Sequence, residues 1–271
     1  MTDLNLHVLV DNHTLIDQYY CAEPAVCYYI EDGGRSILFD TGYSDLFLQN
    51  ANKCGIDLNK VSDVVLSHGH NDHTGGLPSL LDAYDGEGFT VLAHPKALDE
   101  KMEDGQSIGC PMTQKQIRRR CRLELTAAPK RLTERLIYLG EIPECNAFET
   151  RKPIGKRRQG TEWVDDLVPD DTALVYQTEQ GLYIITGCSH SGICNIMEYA
   201  KSVCKDNRIR GVIGGFHLFE DDTRLAQTIA YFQRDHIHEL YPCHCVSFAA
   251  KARIHQAIPV HEVGVGMQVV W

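Results

Sequence analysis

The sequence predicts a layered α/β (α+β) protein, and three observations support this fold class. Short stretches rich in Val, Ile and aromatic residues recur toward both ends of the chain, as expected for buried strands. Between them lie segments with apolar residues three or four positions apart, the spacing of amphipathic helices. Glycine-containing turns at 32–34 and 179–181 join neighbouring strands as hairpins. Alternation of this kind is typical of proteins that layer helices on sheets.

The predicted elements fall into two groups, one before residue 95 and one after residue 170. Strands are expected at Leu4–Val10, Val26–Ile30, Ser36–Phe39, Val61–Leu66, Phe89–Ala93, Ala173–Thr178, Leu182–Thr186, Gly211–Ile213 and His238–Tyr241. Helices are expected near Leu77–Ala83, from Ile193 to Val203, and from Leu225 to Phe232.

Residues 95–168 interrupt this alternation. The segment holds five of the 10 prolines and has no strand of convincing length before Arg135–Leu139. Between Pro95 and Gly160 there are 15 Lys and Arg against 9 Asp and Glu. We therefore expect a single domain over residues 1–271, with a helix-rich cap inserted at 95–168 that helps to choose the substrate. Alternatively, the basic residues form a solvated helical face.

The composition limits the classes of partner. The net charge of −11 argues against a nucleic-acid partner, whereas the basic segment suits a small anionic substrate. No apolar run approaches the roughly 20 residues that span a bilayer, so no membrane partner is expected. The N-terminus lacks the pattern of a signal peptide, and the 11 cysteines show no paired framework. These features favour a cytoplasmic protein; the oligomeric state is left open.

The run at residues 67–76 is the most informative part of the chain. It places His68, His70, Asp72 and His73 within six positions, directly after the predicted strand Val61–Leu66. Imidazole and carboxylate groups are common metal ligands, and this many in one short loop suits two metals side by side. The alternative is a polar loop that happens to be rich in histidine.

This run resembles the His-x-His-x-Asp-His signature of the metallo-β-lactamase superfamily. Further motifs agree in order: Asp40-Thr41-Gly42 after a strand, Gly140-Glu141-Ile142-Pro143 with Phe148-Glu149, 186–192, 214–218 and Tyr241-Pro242-Cys243-His244-Cys245. The later motifs resemble a narrower branch that contains dihydropterin–ribofuranosylaminobenzene phosphate synthases beside uncharacterised hydrolase-like proteins. The resemblance spans roughly residues 5 to 265. It implies a four-layer αββα sandwich with metals at one edge of the paired sheets.

The resemblance also implies a set of metal ligands. His68 and His70 would hold one metal, and Asp72 and His73 a second. His244 would join the second metal, and His190 is a further ligand. One or two divalent ions are expected, zinc first, with manganese or iron also suited to such ligands.

Three other residues complete the predicted site. Asp40 ends a strand and would accept the second N–H of a ligand histidine. His217, in Gly-Gly-Phe-His-Leu, would contact the substrate or a developing oxyanion. Cys188 stands where many members of the superfamily have a metal-bridging aspartate, so it either ligates as a thiolate or is a small inert residue.

The expected function is metal-dependent hydrolysis of an ester, amide, thioester or phosphoester. Metal-bound water would be acidic enough to supply hydroxide near pH 7, and Asp72 would orient it besides ligating. One alternative is the pterin-transferring synthesis of the branch, with release of pyrophosphate; Glu144, where the branch commonly has arginine, argues against it. A second alternative is a non-catalytic metal or redox sensor.

Overall fold

A computed structural model describes residues 3–84 and 88–271, and the chain divides into two compact units. The first unit comprises Met1–Ala127, Lys152–Asp170 and Gly264–Trp271. The second unit comprises Ala128–Arg151 and Asp171–Val263. The expectation of one domain over 1–271 stays a prediction. The cap expected at 95–168 stays a prediction too; its two ends belong to the first unit and its middle to the second.

The strands run from the N-terminus to the C-terminus as follows: β1 (Asn5–Val10), β2 (Cys27–Asp32), β3 (Arg35–Phe39), β4 (Val61–Val65), β5 (Thr90–Ala93), β6 (Lys101–Glu103), β7 (Gln106–Ser107), β8 (Arg122–Leu125), β9 (Lys130–Arg131), β10 (Leu136–Tyr138), β11 (Lys156–Gln159), β12 (Glu162–Asp165), β13 (Ala173–Thr178), β14 (Gly181–Thr186), β15 (Ile209–Gly214), β16 (Glu239–Pro242) and β17 (Gln268–Val270). The α-helices are α1 (Leu46–Lys53), α2 (Asn71–Thr74), α3 (Leu77–Ala83), α4 (Gln114–Arg118), α5 (Ile193–Cys204), α6 (Thr223–Arg234) and α7 (Phe248–Ala257), and a 3₁₀ turn covers Leu58–Lys60. The α/β prediction is therefore confirmed.

The first unit is built on a seven-stranded sheet in the order β17-β1-β2-β3-β4-β5-β8. The strands β3, β4, β5 and β8 are parallel, so their carboxyl ends meet at the same edge. The helices α1 and α3 bury Phe47, Leu77 and Leu80 in one apolar cluster with Leu38 and Val64 of the sheet. This packing fixes the ends of β3 and β4. Asp40 follows β3, and the predicted metal loop follows β4.

The second unit is built on a six-stranded sheet in the order β16-β15-β14-β13-β10-β9. Here β14, β15 and β16 are parallel, and the other pairs are antiparallel. The helices α5, α6 and α7 contribute Ile196, Phe232 and Ile254 to a core with the buried strand residues. Asp222 caps the N-terminus of helix α6. Its side chain accepts a hydrogen bond from the backbone N–H of Leu225 and so satisfies a donor at the helix end.

The expectation that 95–168 is helix-rich is wrong. The segment contains one short helix, α4, and several strands of two to four residues. Four of its strands form an antiparallel sheet in the order β12-β11-β6-β7. Because most side chains of these strands are exposed, they carry no alternation of apolar residues, which is the signal that reveals a half-buried strand.

None of the helices in the described parts of the chain has the length and apolar character needed to cross a bilayer.

Candidate metal centre

The loop His68–His73 follows β4 at the carboxyl end of a parallel strand, and its residues from Asn71 onward form the start of α2. A ligand atom from each of His68, His70 and Asp72 lies within 4.8 Å of the other two. His68 and His70 are buried, with 0% and 7% of their surfaces exposed, and Asp72 is partly exposed. The ring nitrogens His68 Nε2 and His70 Nδ1 are 3.0 Å apart. This donor set, two imidazoles and one carboxylate, suits zinc, manganese or iron.

The electrostatic surroundings keep His70 neutral. Burial, helped by the nearby Lys101 ammonium, lowers the pKa of His70 from 6.5 to about 4. A histidine must be neutral to coordinate a metal, so His70 is available as a ligand at neutral pH.

Asp40 anchors the loop from the end of β3. Its buried carboxylate accepts the backbone N–H and the hydroxyl of Ser67, both at 2.7 Å, and lies 2.7 Å from His73 Nδ1. An acceptor at Nδ1 directs the other ring nitrogen of His73 away from Asp40, which is the arrangement of a ligand histidine held by a carboxylate. The role of Asp40 in metal binding stays a prediction.

His73 is surrounded by negative charge. Its Nε2 lies 3.4 Å from an Asp72 oxygen, on the side opposite to Asp40. Burial lowers the pKa of His73, but the Asp72 and Asp40 carboxylates outweigh it, and the net pKa is well above 6.5. Two carboxylates around one imidazole are an environment that a metal cation would also stabilise.

The glycines after the loop are required by close packing. A Cβ on Gly75 would lie 2.3 Å from the Tyr43 carbonyl oxygen, and one on Gly76 would lie 2.2 Å from that of Thr41. The segment after Asp40 therefore packs directly on the turn between α2 and α3, and any side chain there would push it away.

In the second unit, the predicted residues follow three parallel strands. Cys188 and His190 follow β14, His217 follows β15 and His244 follows β16. A ring nitrogen of His190 and one of His244 each lie within 4.8 Å of the Cys188 sulfur. The rings of His190 and His217 have centroids 4.5 Å apart. The carboxyl edge of this sheet thus gathers all four predicted residues of the second unit.

A strand that continued through Cys243-His244-Cys245 would point His244 away from both cysteines. The strand β16 ends at Pro242, however, and His244 has a left-handed backbone with φ of 49°. Strand geometry therefore does not set the direction of its side chain.

A cleft of about 330 Å³ opens beside the loop in the first unit. His70, Asn71 and Asp72 form part of its wall; the other lining residues are Pro24, Tyr43, Glu103, Ile108 and Ile154. Apolar and aromatic groups with a few polar ones are the usual lining of a small-molecule site. Tyr43, Ile108 and Ile154 could not be predicted as site residues, because no motif includes them.

A buried ion-pair cluster near the loop was also not anticipated. Lys101 Nζ lies 2.6 Å from an Asp166 oxygen and 2.9 Å from an Asp170 oxygen, and all three side chains are fully buried. Burial lowers the pKa of Lys101, but the two carboxylates outweigh it and raise the net value. The pair Asp170-Asp171 just before β13 was the only sequence hint of this cluster.

The comparisons with known proteins agree with the fold. A family model of the metallo-beta-lactamase superfamily matches residues 22–202, and the chain belongs to that superfamily. A solved structure described as Tm1679, a metal-dependent hydrolase of the beta-lactamase superfamily, is similar with a TM-score of 0.83 and 28% identity, covering 98% of both chains. The chain therefore has the metallo-beta-lactamase fold.

Two relatives from Methanocaldococcus jannaschii match most of the chain. One, named Uncharacterized protein MJ0448, is 32% identical over 93% of this chain and 94% of its own length. The other is named 7,8-dihydropterin-6-methyl-4-(beta-D-ribofuranosyl)-aminobenzene-5'-phosphate synthase, and it is 30% identical over 82% of this chain and 80% of its own length. The predicted resemblance to this branch is thus confirmed.

Proposed function

We propose that this protein is a metal-dependent hydrolase that cleaves an ester, amide, thioester or phosphoester of a small molecule. The observation that carries this proposal is the group formed by His68, His70 and Asp72, whose ligand atoms lie within 4.8 Å of one another. One or two divalent ions would bind there, and zinc is the metal that we expect most. The full proposed ligand set is His68, His70, Asp72 and His73, with His190, His244 and Cys188 added on the strength of their sequence motifs.

The chemistry of the residues present fits a metal. The ion would act as a Lewis acid and lower the pKa of a water molecule toward 7. His70 is neutral at that pH and ready to ligate. Asp72, which is only partly buried, would accept a proton of the water and orient it toward the substrate. Asp40 would hold the ring of His73 in one orientation.

His217 is the proposed contact for the oxyanion. Its ring lies next to that of His190 and makes an edge contact with the exposed ring of Phe219, at 4.8 Å between centroids. An imidazole N–H in this position would donate to an oxygen that becomes negative during the reaction.

The cleft beside the loop suggests how the rest of the substrate binds. Tyr43, Ile108 and Ile154 offer an aromatic and aliphatic wall, and Glu103 offers one acceptor carboxylate. We therefore propose that the anionic, reacting end of the substrate faces the metal ligands. A flat or apolar portion that carries a hydrogen-bond donor would occupy the cleft.

A second candidate function is favoured by one relative. The synthase from Methanocaldococcus jannaschii is 30% identical over 82% of this chain, which keeps a pterin-transferring reaction open for this protein. Against it stands Glu144, an acid where the branch commonly has a base. Incubation with a pterin diphosphate and an aryl ribose phosphate, followed by an assay for pyrophosphate, separates the two candidates.

We further propose that the protein works in the cytoplasm, because all 11 cysteines are free thiols. No partner beyond the small-molecule substrate is proposed.

The test is a screen of chromogenic esters, thioesters and phosphodiesters with the zinc-loaded protein and with H68A/H70A. We expect the double variant to lose at least about 100-fold in kcat/KM, because both proposed imidazole ligands are gone. His94→Ala is the matched control. His94 is also a buried histidine, and its Nδ1 accepts the backbone N–H of Lys96. Among the described residues it belongs to none of the groups that could hold a metal. Unchanged activity and metal content in H68A/H70A would contradict the proposal.

A further inference from the structure

The buried cluster of Lys101, Asp166 and Asp170 lies against the proposed metal loop in the first unit. One oxygen of Asp170 accepts the backbone N–H of Gly69 at 2.7 Å, and the other lies 2.9 Å from Lys101 Nζ. Gly69 stands between His68 and His70, so this bond holds the backbone that carries both imidazoles. All the groups involved are buried, which removes water as a competing partner.

The packing around Gly69 shows how tightly this contact is built. A Cβ at Gly69 would lie 2.0 Å from the carbonyl oxygen of Ala97 and 2.9 Å from Lys101 Cε. The residue after His70 is held as well, because the Asn71 N–H donates to the Ile108 carbonyl at 2.8 Å. The stretch from Ala97 to Ile108 therefore supports the loop along its length, with Lys101 at the centre of the contact.

The two carboxylates of the cluster play different parts. Both accept from Lys101 Nζ, but the second oxygen of Asp166 accepts the Val168 N–H, which is outside the loop. Of these two carboxylates, Asp170 is the one that accepts a hydrogen bond from the loop in the described part of the chain. A charged acceptor gives a stronger and more directional bond to a backbone N–H than a neutral one does.

We propose that Asp170, held by Lys101, is a positioning residue that fixes the His68–His70 backbone for metal binding. Neither residue would touch the metal or the substrate. Their role is to hold the two imidazoles in place before the ion arrives, so that binding does not have to order the loop. This inference rests on the proposed function, because it presumes that the loop binds a metal.

The test compares D170N with D166N. An amide has a single acceptor oxygen, so D170N withdraws one acceptor from the Gly69 N–H or from Lys101, and D166N withdraws one from the Val168 N–H or from Lys101. In both variants Lys101 keeps the other carboxylate as an acceptor. Both variants remove the same charge from the same cluster, but only D170N changes a bond to the loop. Zinc affinity is measured by competition with a chromogenic chelator, and the stability of the metal-free proteins by urea unfolding.

We expect D170N to weaken zinc binding by about tenfold or more, and D166N to change it by less than about threefold at a similar loss of stability. Equal losses of affinity in both variants would overturn the proposal, since the cluster would then act through stability alone. Unchanged affinity in D170N would overturn it too. The charge-conserving pair D170E and D166E repeats the comparison if either asparagine variant does not fold.

Hydrogen exchange of the metal-free protein gives a readout that does not depend on zinc. We expect the amide of Gly69 to exchange about tenfold faster in D170N than in wild type or D166N, because its acceptor is weakened. If the wild-type protein binds no zinc, the proposed function fails, and the exchange at Gly69 still shows whether Asp170 holds the loop backbone. Exchange at Gly69 that is the same in all three proteins would overturn that role.

Discussion

At the scale of single residues, three of the predicted site residues share an uncommon backbone conformation. Asp40, His217 and His244 have φ values of 62°, 50° and 49°, in the left-handed region that favours glycine. Asp40 follows β3, His217 follows β15 and His244 follows β16, so each lies just beyond the carboxyl end of a strand. Such a conformation costs on the order of 1 kcal/mol or more per residue and is found most often at functional sites. The cost is consistent with side chains that are placed for chemistry rather than for stability.

The shifted pKa values of His70 and His73 predict how the stability of the metal-free protein responds to pH. Because the pKa of His70 is lowered to about 4, the unfolded chain binds more protons than the folded one below pH 6.5. The contribution of neutral His70 to the free energy of unfolding is therefore complete above about pH 6.5. It is lost as the pH falls toward 4, by up to about 3 kcal/mol in the free energy of unfolding.

His73 acts in the opposite direction. Its raised pKa contributes stability that is complete below about pH 6.5 and is lost as the pH rises toward the folded value. Urea unfolding of the metal-free protein at several pH values measures both effects. In His70→Gln the decline between pH 6.5 and 4 should become shallower, and an identical decline in wild type and variant would refute the assignment.

At the scale of elements, the four-stranded sheet predicts a contrast between two glycines. Gly155 and Gly160 have nearly equal φ values of 60° and 63°, so alanine is strained by a similar amount at both. A Cβ at Gly155 would lie 2.3 Å from the Met102 carbonyl oxygen, where β6 pairs with β11, whereas nothing lies within 4 Å at Gly160. G160A should cost about 1 kcal/mol, and G155A about 1–3 kcal/mol more.

Urea unfolding of the two alanine variants measures this difference, with G160A as the matched control for backbone strain. Equal losses of stability in G155A and G160A would show that the backbone at Gly155 moves away from β6 at little cost. The position of β6 matters because Lys101 is its first residue.

The elements also show what a sequence can and cannot predict. The buried strands of both large sheets were predicted within a few residues, because they carry continuous apolar runs. Helix α7 was missed because it buries only Ala250 and Ile254, and α1 because its buried face includes the polar Asn50. The four-stranded sheet was missed because pairing between short exposed strands leaves no apolar pattern.

At the scale of the whole molecule, the candidate ligands of each unit could be predicted from sequence, because neighbouring positions or strand ends bring them together within that unit. The cleft and the Lys101–Asp170 cluster could not be predicted from sequence. Lys101 and Gly69 are far apart in the chain, and the contact between them depends on how the 95–168 segment folds. A buried lysine in an otherwise basic segment carries no sequence signal of its own. Distant contacts of this kind are visible only in three dimensions.

The central claim, that the His68–His73 loop binds the catalytic metal, is tested most directly by the zinc content of purified protein. Elemental analysis after exposure to zinc and removal of the excess should give between about one and two ions per chain in wild type. H68A/H70A should retain less than about half of that amount, while H94A keeps the wild-type value. Equal zinc in the wild type and in H68A/H70A, or none in the wild type, would contradict the account.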